Sequence, residues 1–126
     1  MKTKQVLSID QMKHLQELGL DTSDASMVFQ RSSATRHEWV LHVMGYADVS
    51  LREKEFTYTL QDILDKLPPS INWNPLIIVG NSVMYSAGYG EGYDEPIKIF
   101  KEESLLESAY KMLCWCVENR YIKKRW

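Results

Sequence analysis

Apolar residues return every three or four positions in three stretches of the chain, the period of a helix with one buried face. Residues 9–18 place Ile9, Met12, Leu15 and Leu18 on one side. Gly19 and Leu20 follow, the order expected where a helix ends in a left-handed residue. Residues 60–67 carry the stripe Leu60, Ile63, Leu64 and Leu67 with Asp62, Asp65 and Lys66 outside, and Pro68-Pro69 stops the backbone ladder. Residues 104–119 form the most apolar of the three, with Leu105, Leu106, Ala109, Tyr110, Met112, Leu113, Cys116 and Val117 on one broad face. Each helix opens with the same device. Ser8 and Gln11, Thr59 and Asp62, and Ser104 and Glu107 set a hydroxyl three residues ahead of an acidic or amide side chain, as a reciprocal capping box requires. Asp is a poorer third member than Glu or Gln, so the middle box is expected to be the weakest.

Between the helices the pattern shortens to strands. Ser26–Arg31 and His37–Met44 are β-rich runs joined by Ser32-Ser33-Ala34-Thr35, a hairpin turn. In the second run Trp39, Leu41 and Val43 share one face, opposite Glu38, Val40, His42 and Met44. Pro75–Val79 and Val83–Tyr89 flank Gly80-Asn81-Ser82, a stronger hairpin signal because Gly and Asn tolerate positive φ. Ile97–Phe100 adds a short fifth strand, and the charged, aperiodic residues Ala47–Glu55 read as an exposed loop. The order α-β-β-α-β-β-β-α predicts an α+β fold: a largely antiparallel sheet of about four to five strands packed with three helices. No repeat or linker divides the chain, so residues 1–126 are read as a single domain.

Composition excludes classes more than it selects one. The 126 residues are 44% hydrophobic and 25% charged, enough to bury a core and unlike a disordered or collagen-like chain. A net charge of −2 removes a global basic field for nucleic acid. The longest aliphatic run, Leu76–Val79, is far too short to span a membrane, and Met1–Asp10 lacks the apolar stretch of a signal peptide. The expectation is a cytoplasmic protein with no membrane association. Cys114 and Cys116 lie about 200° apart on a helix, so they can neither bridge nor share a metal. Cys116 is expected in the core and Cys114 near the polar side, with the faster-labelled thiol.

The stretches Leu7–Leu15 through Leu18–Ser23, Tyr58–Pro68 and Glu107–Asn119 are similar to three blocks of a group of small uncharacterised bacterial proteins. That group resembles this chain in length and occurs in gut anaerobes, often within prophage-like or other mobile regions. The resemblance covers about a third of the chain directly, and block order extends it along the whole. It implies a context, not an activity, and no site residue is carried over from it.

Candidate chemistry is sparse. Glu38 and His42 share a strand face as an acid/base pair, whereas His37 and His42, five apart, face opposite sides and cannot share a metal. Gly88–Glu95 superficially resembles a phosphate loop, but Glu91, Asp94 and Glu95 would repel an anion and a strand follows. No catalytic residue, metal site or cofactor is expected, and the chain is read as leaning away from enzymes. The tail from Arg120 through Tyr121, Lys123, Lys124 and Arg125 to Trp126 joins cations to aromatics, as single-strand nucleic-acid contacts do. Such cations also suit a helix C-terminus.

Trp115 stands out on the third helix. With Leu105 at zero and ~100° per residue, it falls at about 280°, beside Lys111 and outside the apolar arc. Two readings remain open. Trp115, Lys111, Tyr121 and Trp126 form a surface for a protein partner or a second copy; or the tail or the first helix folds over Trp115 within one monomer. The functional expectation is a non-enzymatic, soluble interaction or accessory module of a prophage or mobile-element context that self-associates as a homodimer. The alternative is a nucleic-acid-binding accessory protein using Arg120, Lys123, Lys124 and Arg125.

Overall fold

A computed structural model describes residues 5–31, 38–43, 53–81, 83–90 and 97–125. Helix α1 (Ile9–Glu17) opens at Ser8, whose Oγ accepts from the Gln11 amide at 3.1 Å while Gln11 Oε1 accepts from the Ser8 amide at 2.9 Å. It ends in a Schellman turn: Gly19 takes φ 102°, its amide donates to Gln16 O, and the Leu20 amide donates to Leu15 O. Leu20 then drops into the core.

Helix α2 (Leu60–Lys66) has a complete capping box, with Thr59 Oγ1 3.2 Å from the Asp62 amide and Asp62 Oδ2 2.9 Å from the Thr59 amide. The expectation of a weak middle box is corrected by a third partner. Asp62 Oδ2 also accepts from Ser26 N and Ser26 Oγ, at 3.2 and 2.6 Å, which fixes the short carboxylate in place. At helix α3 (Leu105–Glu118) Ser104 Oγ accepts from the Glu107 amide at 3.3 Å. The Glu107 carboxylate reaches across to α1, accepting from Gln11 Nε2 at 3.0 and 3.1 Å.

Among the described residues seven strands form two antiparallel sheets, so the α+β class, the three helices and the element order stand, with strands added. In the first sheet β1 (Met27–Arg31) lies between β2 (Val40–Val43) and β3 (Glu53–Thr57). Part of the expected Ala47–Glu55 loop is therefore strand. Its charges hid it: Glu53, Lys54 and Glu55 show no apolar alternation, yet Glu53 sits opposite Arg31 and pairs with it at 2.8 Å. The Arg31 guanidinium also lies 4.4 Å over the Trp39 ring. The Ser32–Thr35 turn lies outside the described residues.

The second sheet runs β4 (Ser70–Ile71), β5 (Asn74–Gly80), β6 (Tyr85–Tyr89), β7 (Lys98–Glu102) in spatial order. Leu76, Ile78, Ala87, Tyr89 and Phe100 share the face toward α3, and Ile77, Val79, Gly88 and Ile99 the other. A Cβ at Gly88 would stand 3.0 Å from Ile99 Cγ1, so glycine lets Ile99 lean across β6. Helix α3 packs between this sheet and α2, and Ala109, Met112, Leu113, Cys116 and Val117 are fully enclosed. Burial of Met112, Leu113 and Val117 contributes about 1.5–3 kcal/mol each.

That double cover keeps the expected order of the thiols, Cys116 at 0% exposure being the more buried, but corrects the placing of Cys114 near the polar side. Both Cys114 and Cys116 are buried, Cys114 at 8% exposure, because the flank on which Cys114 lies belongs to the core cluster too. Burial pushes each thiol up to about 11.

Candidate interaction surface

The tail and Trp115 meet through the end of α3. Asn119 caps the helix and Arg120 takes the left-handed C′ position at φ 62°. The Arg120 amide donates to Val117 O and the Tyr121 amide to Cys116 O, at 3.2 and 2.9 Å, a second Schellman turn. This turn carries its usual apolar contact between the residue after C′ and the helix's last turn. The Tyr121 ring stacks on Trp115 with centroids 5.3 Å apart and planes 27° from parallel. Trp115 is half-buried and packs against the core cluster, as does Ile122. Lys111 pairs with Glu102 at the end of β7. Trp126 lies outside the described residues.

Farther on, the Arg125 amide donates to Gly19 O at 2.6 Å, tying the tail across the C-terminal turn of α1. Lys123, Lys124 and Arg125 line a shallow depression with Asp21. The Ser23 amide, and Arg125 with it, hold the Asp21 carboxyl below its ordinary value. The tail cations therefore share their surface with a carboxylate.

Of the acid/base pair, Glu38 is exposed ahead of β2, and His42 is half-buried within it opposite Val28. His37 lies outside the described residues. Neither Glu38 nor His42 lines the main cleft, which measures about 830 Å³. That cleft opens between Met27 and Leu41 of the first sheet, Leu60 and Leu64 of α2, Leu105 and Tyr85. Its volume is that of a small-ligand pocket and its walls are mostly apolar. The Thr59 and Ser104 hydroxyls on its rim already serve their own helices.

Tyr85 joins the cleft to a succession of bare apolar residues. Along the β5–β6 hairpin Ile77, Ile78, Val79, Val83, Met84 and Tyr85 are all more than a third exposed, reaching 55% at Val79 and 72% at Val83. Ile99 extends the face of Ile77 and Val79 across the sheet, while Ile78 and Tyr85 lie on the other face. The turn at its head is made by the Asn81 side chain, whose Oδ1 accepts from the Val83 and Met84 amides, both at 2.8 Å. Sequence reading placed these residues on strands but could not expose them. The run Leu76–Val79 is as apolar as a buried strand, and only the sheet order shows β5 bordered by a partner two residues long.

A further apolar side chain stands at the start of the same strand. Asn72 and Trp73, at φ 50° and 70°, are the two central residues of the tight β4–β5 turn, and Trp73 is 95% exposed. Comparison with protein-family models, curated proteins and solved structures yields no match.

Proposed function

We propose that the chain is a non-enzymatic, cytoplasmic interaction module whose binding surface is the apolar β5–β6 strip leading through Tyr85 into the main cleft. The observation that carries this reading is the succession of exposed apolar residues from Ile77 to Tyr85. A patch of contiguous apolar side chains on a small domain is the ordinary mark of a protein contact. The mobile-element context implied by the sequence resemblance belongs to the same proposal. No helix of the described residues is long and apolar enough to cross a membrane. Among those residues no group of three His, Cys, Asp or Glu is gathered for a metal ion. Nucleic-acid binding by the tail has the exposure of Lys123 and Arg125 in its favour and the Asp21 carboxylate against it.

The test is capture by the full chain in cross-linked cells, comparing wild type with the double variant Val79→Asp, Val83→Asp. Wild type is expected to retain a protein partner, its own copy included, and the variant to lose it with an unchanged circular dichroism spectrum. Equal retention by both, or salt-sensitive retention of nucleic acid alone, overturns the reading.

A further inference from the structure

The alternation of hydrogen bonds along β5 leaves one edge of the strand open. The Gly90 amide donates to Pro75 O and the Asn81 amide to Met84 O, so the odd-numbered residues of β5 face β6. The even-numbered ones face away. Of these, the Leu76 amide is taken by Pro69 O at 3.0 Å, and β4 pairs only with Asn74 and Pro75. Beyond that point no strand among the described residues borders β5. Both backbone groups of Ile78 and both of Gly80 therefore point outward from a strand whose side chains are exposed on both faces, while the outward side of Leu76 is taken by Pro69.

Open edges in stable proteins are normally blunted by charge, proline or a bulge. None of these interrupts Leu76–Gly80, and the whole of β5, Asn74–Gly80, carries no charge. Backbone donors and acceptors at alternate positions can be satisfied together, with water excluded, only by another extended strand.

The geometry points to a second copy of this chain as the occupant, its β5 pairing antiparallel with this one about a two-fold axis at Val79. This deepens the reading of the hairpin as an interaction surface and rests on it. In that register each Ile78 amide donates to the partner's Gly80 carbonyl, and each Gly80 amide to the partner's Ile78 carbonyl, so all four outward groups of each strand are paired. Leu76, whose outward side Pro69 already occupies, is not needed. Val79 meets Val79 on one face, an apolar cross-strand pair that favours association, and Ile78 lies beside the partner's Gly80 on the other. An uncharged strand opposes no like charge to itself. The open segment is also as long as what must fill it. It is bounded by β4 at one end and by the Asn81 turn at the other, so the partner's strand ends where β4 begins. The hairpin tip with Val83 and Met84 then lies against the partner's β4, enlarging a contact that otherwise falls short of the ~800 Å² per partner of a standard interface. The two sheets become one, with both α3 helices on the same face.

Light scattering of the full chain from micromolar to near-millimolar concentration is expected to reach twice the chain mass of 14.7 kDa. Ile78→Pro deletes an outward donor while leaving the ladder to β6 intact, a position at which an edge strand accepts proline. Two bonds vanish by symmetry, so dissociation should strengthen about tenfold or more. Val79→Cys is expected to form a reducible covalent dimer, since non-hydrogen-bonded pairs sit ~4.5 Å apart at Cα, within disulfide reach. Val43→Cys, exposed on the other sheet, serves as the collisional control. The cross-link keeps the test decisive even where the proline variant unfolds. A wild type that stays monomeric overturns the inference, as does a dimer indifferent to Ile78→Pro whose Val79→Cys form links no faster than the control. If a monomeric wild type still captures another protein through Val79 and Val83, the second copy falls and the interaction surface stands.

Discussion

Trp73→Gly should stabilise the protein. The β4–β5 turn closes in two residues with both central φ values positive, the hairpin geometry for which Asn-Gly is the preferred pair. Asn72 suits its place; Trp73, at φ 70°, does not. A left-handed residue with a side chain costs roughly 1–2 kcal/mol, because its Cβ crowds the following carbonyl. Glycine removes that cost and returns ~0.5–1 kcal/mol of it through greater freedom of the unfolded chain. At 95% exposure Trp73 has almost no burial to lose. The net gain is then about 0.5–1 kcal/mol, or roughly 2–4 °C in Tm for a chain of this size. Far-UV circular dichroism in a urea series measures it without relying on the tryptophan being removed. Trp73→Ala is the control, since alanine keeps the backbone strain and loses only the ring, and it should lie near wild type. A glycine variant no more stable than the alanine variant would refute the reasoning, and an alanine variant well below wild type would put the Trp73 ring against a surface. A bulky residue kept where glycine is cheaper suits a side chain held out for contact.

Asp62→Ala removes the acceptor of three hydrogen bonds at once, from Thr59 N, Ser26 N and Ser26 Oγ. Denaturant titration should show a loss of about 2–4 kcal/mol, and less for Asp62→Asn; a loss below ~1 kcal/mol would mean the cap is redundant. The thiols give a pH prediction. Both Cys pKa values rise from 9.0 to about 11 on folding, so the native state holds protons that the unfolded chain gives up. Stability is therefore whole below pH ~9 and falls as pH climbs through ~11, and the buried Tyr58 and Tyr89 phenols, also raised, add to the same fall. Both cysteines should label slowly at neutral pH, and rapid labelling of Cys114 in the folded protein would refute the burial on which this rests.

The helices are legible in the sequence because three independent signals coincide there: the hydroxyl cap, the apolar stripe and a terminator at Gly19 or Pro68. The missed strands lack any such coincidence. β3 offers Phe56 as its only large apolar residue, and β4 is two residues long and exists only because the Asn72-Trp73 turn folds it onto β5. The turn itself was hidden by the absence of glycine. Helix α3 was read at the right place but too narrowly. A helix packed by a sheet and another helix buries positions that a single stripe leaves out, and Cys114 is one of them.

The position of the interaction surface turns on a distinction that helical phase alone cannot make. A tryptophan outside an apolar arc marks a contact only where the chain leaves it bare. The same Schellman turn ends α1 and α3. At α1 it delivers Leu20 to the core, and at α3 it delivers Tyr121 to the face of Trp115. The second contact is thus a consequence of how the helix stops, and it covers apolar area that phase alone assigns to a partner. The β5 edge differs in kind. Side-chain exposure there can be relieved by rotation or by a neighbouring loop, but the outward amides and carbonyls of Ile78 and Gly80 are fixed by the ladder to β6. Water satisfies them adequately in the monomer. Only a strand satisfies them while also covering Ile77, Ile78 and Val79, and that joint requirement makes the hairpin, ahead of the tryptophan helix, the surface on which association is to be sought.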